Sequence, residues 1–329
     1  MNQFVIVGIC TLVAAGLTLS ILHLALRHPA ALPLDIANGR SLHVGAIPRI
    51  GGIGMAIAVT ASQVFYACFG NEYVGLPAGL YAATVVLVGL SFVDDCRTLP
   101  VALRLLAHLA AAAAVVAWLG VPWFSALALI LALVWMTNLY NFMDGSDGLA
   151  GIMAVIGFAA YALAAWPGNE ALACLAATVS AAAAAFLVFN VSPATVFMGD
   201  AGSIPIGFLA GALGILGWQQ GLWSIGFPVL VFLPFIADAT VTLGRRLLQG
   251  KAVWQAHRDH YYQRLVRLGF SHRQLAISAG ALMACCAGSA LAATPATLGE
   301  LLLFWCLVGA AIMTWTELRW RRTGSSLEK

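Results

Sequence analysis

The sequence predicts an all-α protein that crosses a membrane about eleven times, and three observations carry that prediction. Hydrophobic residues fill 62% of the 329 positions and charged residues only 9%, against roughly 25% charged in soluble domains. Apolar runs long enough to cross a hydrocarbon core, roughly 20 residues rising about 1.5 Å each, recur along the whole chain. All 16 Lys and Arg residues lie on alternate connections between those runs, as the two sides of a membrane require.

Breaks at charge, Gly, Pro and Asn define the spans in order. The first, 4–26, has no basic residue ahead of it, unlike a cleaved signal peptide, and is read as a retained span ending at Arg27-His28-Pro29. The second, 50–69, opens on Gly51-Gly52 and stops at Gly70-Asn71-Glu72, and the third, 74–93, stops at Asp94-Asp95. Pro100 and Pro122 precede the fourth, 101–119, and the fifth, 123–139, while the sixth, 149–166, ends at Pro167-Gly168. The seventh, 171–189, runs to Asn190, the eighth, 204–218, follows Gly199-Asp200, and the ninth, 222–243, meets Gly244-Arg245. Thr294-Pro295 separates the tenth, 275–293, from the eleventh, 298–318. No internal repeat stands out, and residues 1–329 are read as a single domain whose Ala-rich stretches suit close helix packing.

Alternation puts 27–49, 94–104, 140–148, 190–203, 244–274 and the C-terminus on one side, and all sixteen basic residues fall there. The opposite side holds only Glu72, Glu170 and, just inside the last span, Glu300. The positive-inside rule makes the basic side cytoplasmic, with the N-terminus outside and the C-terminus in the cytoplasm, as expected for a multi-pass protein of a bacterial inner membrane. The seven cysteines are scattered without metal-ligand spacing, so disulfides and cysteine metal sites are not expected.

With so little charge, the remaining carboxylates are informative. Asp94, Asp95, Asp144, Asp147 and Asp200 all sit where a span meets a basic connection. Two like charges about 4 Å apart repel by roughly 4 kcal/mol at an effective dielectric near 20, so a converging set needs a cation or cationic side chains. Magnesium is the economical choice, with manganese as a substitute. Each Asp taken alone can also be a helix cap or a solvated loop residue. Asp94-Asp95 stands at a helix C-terminus, where the macrodipole disfavours anions, so capping of that helix does not account for the pair. Metal binding or general-base work does.

The phrase from Asn138 through Asn141, Asp144 and Asp147 to Gly151 packs oxygen donors of the kind magnesium takes, one or two at a time, beside phosphate and water. Asp147 is equally a cap for the sixth span. From Asn190 to Ser203 the chain reads Asn-Val-Ser-Pro-Ala-Thr-Val-Phe-Met-Gly-Asp-Ala-Gly-Ser, so glycines and a helix start could present free N–H groups to phosphate. Ser203 as a plain N-cap is compatible with that. Arg40 and Arg49 in the first connection and Arg104 in the second offer guanidinium forks for phosphate oxygens, with a flexible Gly51-Gly52 pair beside Arg49, although a basic loop that only sets topology reads the same way. The longest basic connection centres on His257-Arg258-Asp259-His260, a weak zinc signal better read as part of a polar pocket. Asp238, inside the ninth span, reads as a packing or helix-pairing residue. Polar residues along several span midplanes would mark a transporter, the rival class, but here they collect at one face.

Taken together, Asp-Asp, Asn-x-x-Asn-Phe-x-Asp-Gly-x-Asp-Gly, Phe-Met-Gly-Asp-x-Gly-Ser and a His-containing last loop, in this order and on one side, resemble the polyprenyl-phosphate N-acetylhexosamine-1-phosphate transferases (WecA/WbpL/MraY-like) from Arg40 to about His272. The resemblance implies a UDP-sugar donor, a polyprenyl (undecaprenyl) phosphate acceptor and release of UMP, with membrane lipid around the protein and no nucleic acid partner; a homodimer is one assembly it allows. By resemblance, Asp200 and Asn141 contact the metal, and Asp94 and Asp95 serve the acceptor phosphate, Asp94 as base. Asp144, Asp147 and Asn190 shape the nucleotide site, Arg40, Arg49, Arg104 and Asn138 bind substrate, and His257, Arg258 and His260 meet the diphosphate or sugar, with Asp144, Asp147 and His257 among the catalytic groups. The translocase branch, which transfers phospho-MurNAc-pentapeptide, carries consecutive histidines in that loop. Here Arg258-Asp259 separates His257 from His260, which favours an N-acetylhexosamine donor such as UDP-GlcNAc or a 6-deoxy relative like UDP-N-acetylfucosamine, initiating O-antigen or a related envelope glycan, over the peptidoglycan precursor.

Overall fold

Helix ends follow the proline, glycine and charge breaks of the sequence. The computed structural model describes residues 2–28, 32–36, 45–70, 76–166, 168–252 and 257–327. In order they form α1 (Gln3–Ala25), β1 (Leu34–Ile36), β2 (Ala46–Pro48), α2 (Gly51–Phe69), α3 (Ala78–Cys96), α4 (Val101–Trp118) and α5 (Trp123–Phe142). There follow α6 (Leu149–Ala165), α7 (Glu170–Asn190), α8 (Asp200–Gln219), α9 (Gly226–Val231), α10 (Leu233–Leu248), α11 (Tyr261–Arg267), α12 (His272–Ala292) and α13 (Leu298–Leu327). Pro77, Pro100 and Pro122 stand directly ahead of α3, α4 and α5, where a missing N–H interrupts no helical hydrogen bond. Among the described residues nine helices are long and apolar enough to cross a membrane, and α6 is a shorter apolar helix. The protein is an all-α, polytopic membrane protein.

Three expectations from the sequence need correction. The ninth run, 222–243, is not one helix: α9 ends at Val231, and Pro234, which lacks an N–H, starts α10 afresh. The buried ring of Phe232 fills the break. The first basic connection also contains a small antiparallel hairpin, Asp35 opposite Ile47, that apolar periodicity could not signal in strands of three residues.

α8 is the axis of the bundle. Within its spanning window 89% of residues are buried, whereas none is in that of α13, whose Leu303, Phe304 and Leu307 are exposed as a lipid-facing surface requires. Small residues let neighbours close on α8. A Cβ on Gly207 would lie 2.6 Å from Tyr140 Cβ, so α5 can pack only against a glycine there. That approach puts the end of α5, and with it Asn141, beside the start of α8. Gly51 and Gly52 serve a similar end: their N–H groups donate to Phe197 and Met198 carbonyls at 2.9 and 2.8 Å, and a Cβ on Gly51 would lie 2.8 Å from Phe197 O. The pair, expected as a flexible entry to a span, is instead a close-contact seam that fastens α2 to the irregular segment leading into α8.

Candidate active site

The site is built on the first turn of α8. Gly199, at φ +72°, turns the chain so that Asp200 begins the helix. The four leading N–H groups of a helix have no partner within it, and here all four are used. Asp95 Oδ1 accepts from Asp200 N–H at 3.0 Å and Oδ2 from Ala201 N–H at 2.9 Å. Gly202 and Ser203 N–H donate to Gly199 O, both at 3.0 Å. The expectation of free amides waiting for phosphate is therefore corrected: a carboxylate of the chain already fills the anion position at this N-terminus. Capping does account for Asp95, although the helix it caps is not its own, and its side chain is only 1% exposed.

Asp94 turns the other way. Its Oδ1 accepts from Leu99 N–H at 2.6 Å, fixing the turn between α3 and α4, and its Oδ2 accepts from Arg104 Nη1 at 2.9 Å. The same Nη1 lies 3.6 Å from Asp200 Oδ2, so one guanidinium bridges the two carboxylates. Arg49 pairs with Asp35 at 2.8 Å and approaches Asp95 at 3.9 Å. Arg40 lies outside the described residues.

From α5, Asn141 Nδ2 donates to Asp200 Oδ1 at 2.8 Å and to Ser203 Oγ at 2.9 Å. Asp144 follows on the loop, its carboxyl pushed well above the usual range by burial and by the negative charges of Asp200 and Asp95, with Arg49 opposing. Such a set of carboxylates is short of positive charge. Asp200 and Asn141, two adjacent oxygen-bearing side chains, fit the one or two protein ligands that magnesium usually takes. Among the described residues no group of three or more His, Cys, Asp or Glu side chains is arranged to hold a metal.

Asp147 and Asn190 stand behind this wall as a clasp. Asp147 Oδ2 accepts from Ala194 N–H at 3.1 Å, while Asn190 accepts from Gly148 N–H and donates to Val196 O, both at 2.9 Å. They tie the loop after α5 to the loop before α8.

The histidine connection closes the other side. The His257 and His260 rings stack with centroids 5.0 Å apart, and His260 lies 6.0 Å from the Phe142 ring. Arg246 pairs with Asp259, and Arg258, half-buried, sits between the histidines in sequence. Burial and then the charges of His260 and Arg246 push the His257 pKa down to about 4. Burial alone would raise Asp259, but the Arg246 guanidinium outweighs it and holds that carboxyl below its usual range.

These groups enclose a cavity of about 490 Å³, within the roughly 300–1,000 Å³ of small-molecule sites. Arg104, Asn138, Asn141, Asp144, His257 and His260 line it, Asp94 and Asp200 bond to Arg104 and Asn141 in that wall, and Asp95 stands one layer further back behind Asp200. Two lining residues, His108 and Tyr262, escaped the sequence reading, and Ser203, expected as a plain N-cap, makes a further bond. His108, 4% exposed, shares the wall with Arg104 one turn earlier on α4, and a polar pair at that spacing in an apolar helix was the available signal. Ser203 binds Asn141, and Tyr262 donates to Phe142 O at 3.0 Å, which fixes the histidine connection to α5. Neither bond has a local sequence signature.

Residues 77–218, which carry α3 to α8, match the profile of the family described as Glycosyl transferase family 4. The chain is similar to the undecaprenyl-phosphate alpha-N-acetylglucosaminyl 1-phosphate transferase of Escherichia coli (strain K12), 30% identical over 73% of this chain and 71% of the relative. It is also similar to the decaprenyl-phosphate N-acetylglucosaminephosphotransferase of Mycobacterium tuberculosis (strain ATCC 25618 / H37Rv), 28% identical over 72% of this chain and 70% of the relative. With that likeness running through the helices that assemble the carboxylates, the chain belongs to the polyprenyl-phosphate N-acetylhexosamine-1-phosphate transferase superfamily.

Proposed function

We propose that the protein transfers an N-acetylhexosamine 1-phosphate from a UDP-N-acetylhexosamine to undecaprenyl phosphate at the cytoplasmic face of a bacterial inner membrane, releasing UMP. The observation that carries this reading is the convergence of Asp94, Arg104, Asn141 and Asp200 at the start of α8, where Arg104 and Asn141 line a cavity that His257 and His260 also line. An acceptor phosphate oxygen attacks the β-phosphorus of the donor, the bond from that phosphorus to the bridging oxygen breaks, and the oxygen leaves with UMP. A phosphate monoester has its second pKa near 6, so the acceptor needs placement more than deprotonation. Asp94, held by Leu99 and Arg104, is the group for that placement and for any proton the phosphate retains. Arg104 offers positive charge to the transferring phosphoryl oxygens, and Arg49, beside Asp35 and Asp95, is the guanidinium for the acceptor headgroup.

Asp200 and Asn141 would hold magnesium, which supplies charge neutralisation for the diphosphate. His260 and His257 face the diphosphate or sugar, His257 as a neutral imidazole. The names of the relatives support N-acetylglucosamine as the sugar; UDP-N-acetylfucosamine is the 6-deoxy alternative, and the product would begin an O-antigen or a related envelope glycan. Purified protein with magnesium and undecaprenyl phosphate, offered a panel of UDP-sugars, tests the donor. Release of UMP from a UDP-N-acetylhexosamine is expected. Release from UDP-MurNAc-pentapeptide alone would overturn the assignment.

A further inference from the structure

Asp238 lies on α10, outside the cavity wall, and its side chain is only 8% exposed. A buried carboxylate is costly unless its oxygens are satisfied, and these are. Oδ1 accepts from Tyr261 N–H at 3.0 Å and from Thr242 Oγ1 at 3.1 Å and lies 3.1 Å from His260 Nδ1, and Oδ2 accepts from Tyr262 N–H at 2.9 Å. Three of the four bonds go to residues 260–262. α11 begins at Tyr261 with no side-chain cap of its own from His260, so Asp238 supplies that cap from another helix. Among the described ion pairs no Lys or Arg reaches Asp238, and His260 is its ionisable partner.

A helix cap alone needs no charge, since Asn or Ser serves as well as Asp. The bond to imidazole gives the carboxylate a further purpose. With Nδ1 committed to Asp238 as a donor, Nε2 is the ring nitrogen left to face a ligand, and the ring orientation is fixed. We propose that Asp238 is a positioning residue for the transfer reaction: it holds His260 as the Nδ1–H form and presents Nε2 to the diphosphate or sugar of the donor. This rests on the reading of the His260 cavity as the donor site. Tyr262 completes the arrangement, since its backbone binds Asp238 on α10 and its hydroxyl binds Phe142 at the end of α5. The histidine is thereby aligned with the loop that carries Asp144.

Two measurements on the full-length protein in lipid bilayers test the proposal. Solid-state NMR with isotopically labelled histidine nitrogens, the His260 signals assigned by their absence from His260→Gln, should show a protonated Nδ1. A bare Nδ1 with the proton on Nε2 would overturn it. In turnover assays with UDP-N-acetylglucosamine and undecaprenyl phosphate, Asp238→Asn should lower kcat by about tenfold or more. In the His260→Gln background the same substitution should cost less than about threefold, because the group it acts through is gone. Equal losses in both backgrounds would mean that Asp238 only supports the fold, and would also overturn the proposal. If the wild type releases no UMP from any UDP-N-acetylhexosamine, the reading of the reaction fails instead, while the position of the His260 proton still decides the role of Asp238.

Discussion

Asp95 on α3 and Asp200 on α8 are joined through the backbone: the Asp95 carboxylate accepts the Asp200 N–H at 3.0 Å and, with its other oxygen, the Ala201 N–H at 2.9 Å. A carboxylate from one spanning helix thus terminates another, and the two acidic residues are held together before any ligand arrives. Asp95→Asn replaces one acceptor with a donor that faces an N–H group. The expected cost is about 1–3 kcal/mol, the usual penalty for leaving a buried donor unsatisfied. Thermal unfolding in detergent should show the loss as a lower midpoint, and an unchanged midpoint would contradict the capping role.

Asp200 contributes its N–H to that cap and its carboxylate to the site, so the two can be separated. Asp200→Asn leaves the backbone bond to Asp95 in place and should keep the unfolding midpoint near that of the wild type. Turnover should nevertheless be lost, because a hard cation loses its anionic ligand. Wild-type activity should also disappear with excess EDTA and return with magnesium. Full activity of the variant, or indifference to EDTA, would refute the metal-site reading.

His257 gives a pH signature. Its pKa of about 4 in the folded protein lies below the ordinary 6.5. The unfolded chain therefore binds more protons between those values, so stability from this group is complete above pH 6.5 and is lost as pH falls toward 4. The unfolding midpoint should fall through that window, and the fall should be smaller in His257→Gln. A fall of the same size in the variant would assign the acid sensitivity elsewhere.

The limits of individual spans were legible because an apolar run is a local property. Runs such as 101–119 and 171–189 match α4 and α7 to within a few residues. The ninth run misled because apolar periodicity carries through Pro234, and a proline is an ambiguous signal here: Pro234 restarts the helix as α10, whereas Pro205 lies inside α8 without ending it. The carboxylates were legible as a group, since charge at the end of a span has few bland explanations. Their division of labour was not. That Asp95 serves a helix 105 residues away, or that Asp147 and Asn190 clasp two loops, depends on contacts that no spacing encodes.

Orientation is open to a direct check. If alternate connections lie on opposite sides, single cysteines placed at Arg258 and Arg321 should resist an impermeant thiol reagent in intact cells, whereas one at Glu170 should react. Strong labelling at position 258 would reverse the placement of the site.

The most direct test of the account follows the phosphorus itself. A UDP-N-acetylhexosamine radiolabelled at the β-phosphorus is supplied with undecaprenyl phosphate, magnesium and the purified protein, and the lipid and aqueous fractions are separated. Attack at that phosphorus requires the label to move into the lipid as a sugar phosphate while unlabelled UMP appears in the water. Label retained in a nucleoside diphosphate, with sugar alone reaching the lipid, would mean that the bond broken lies on the other side of the β-phosphate and would contradict the proposed reaction.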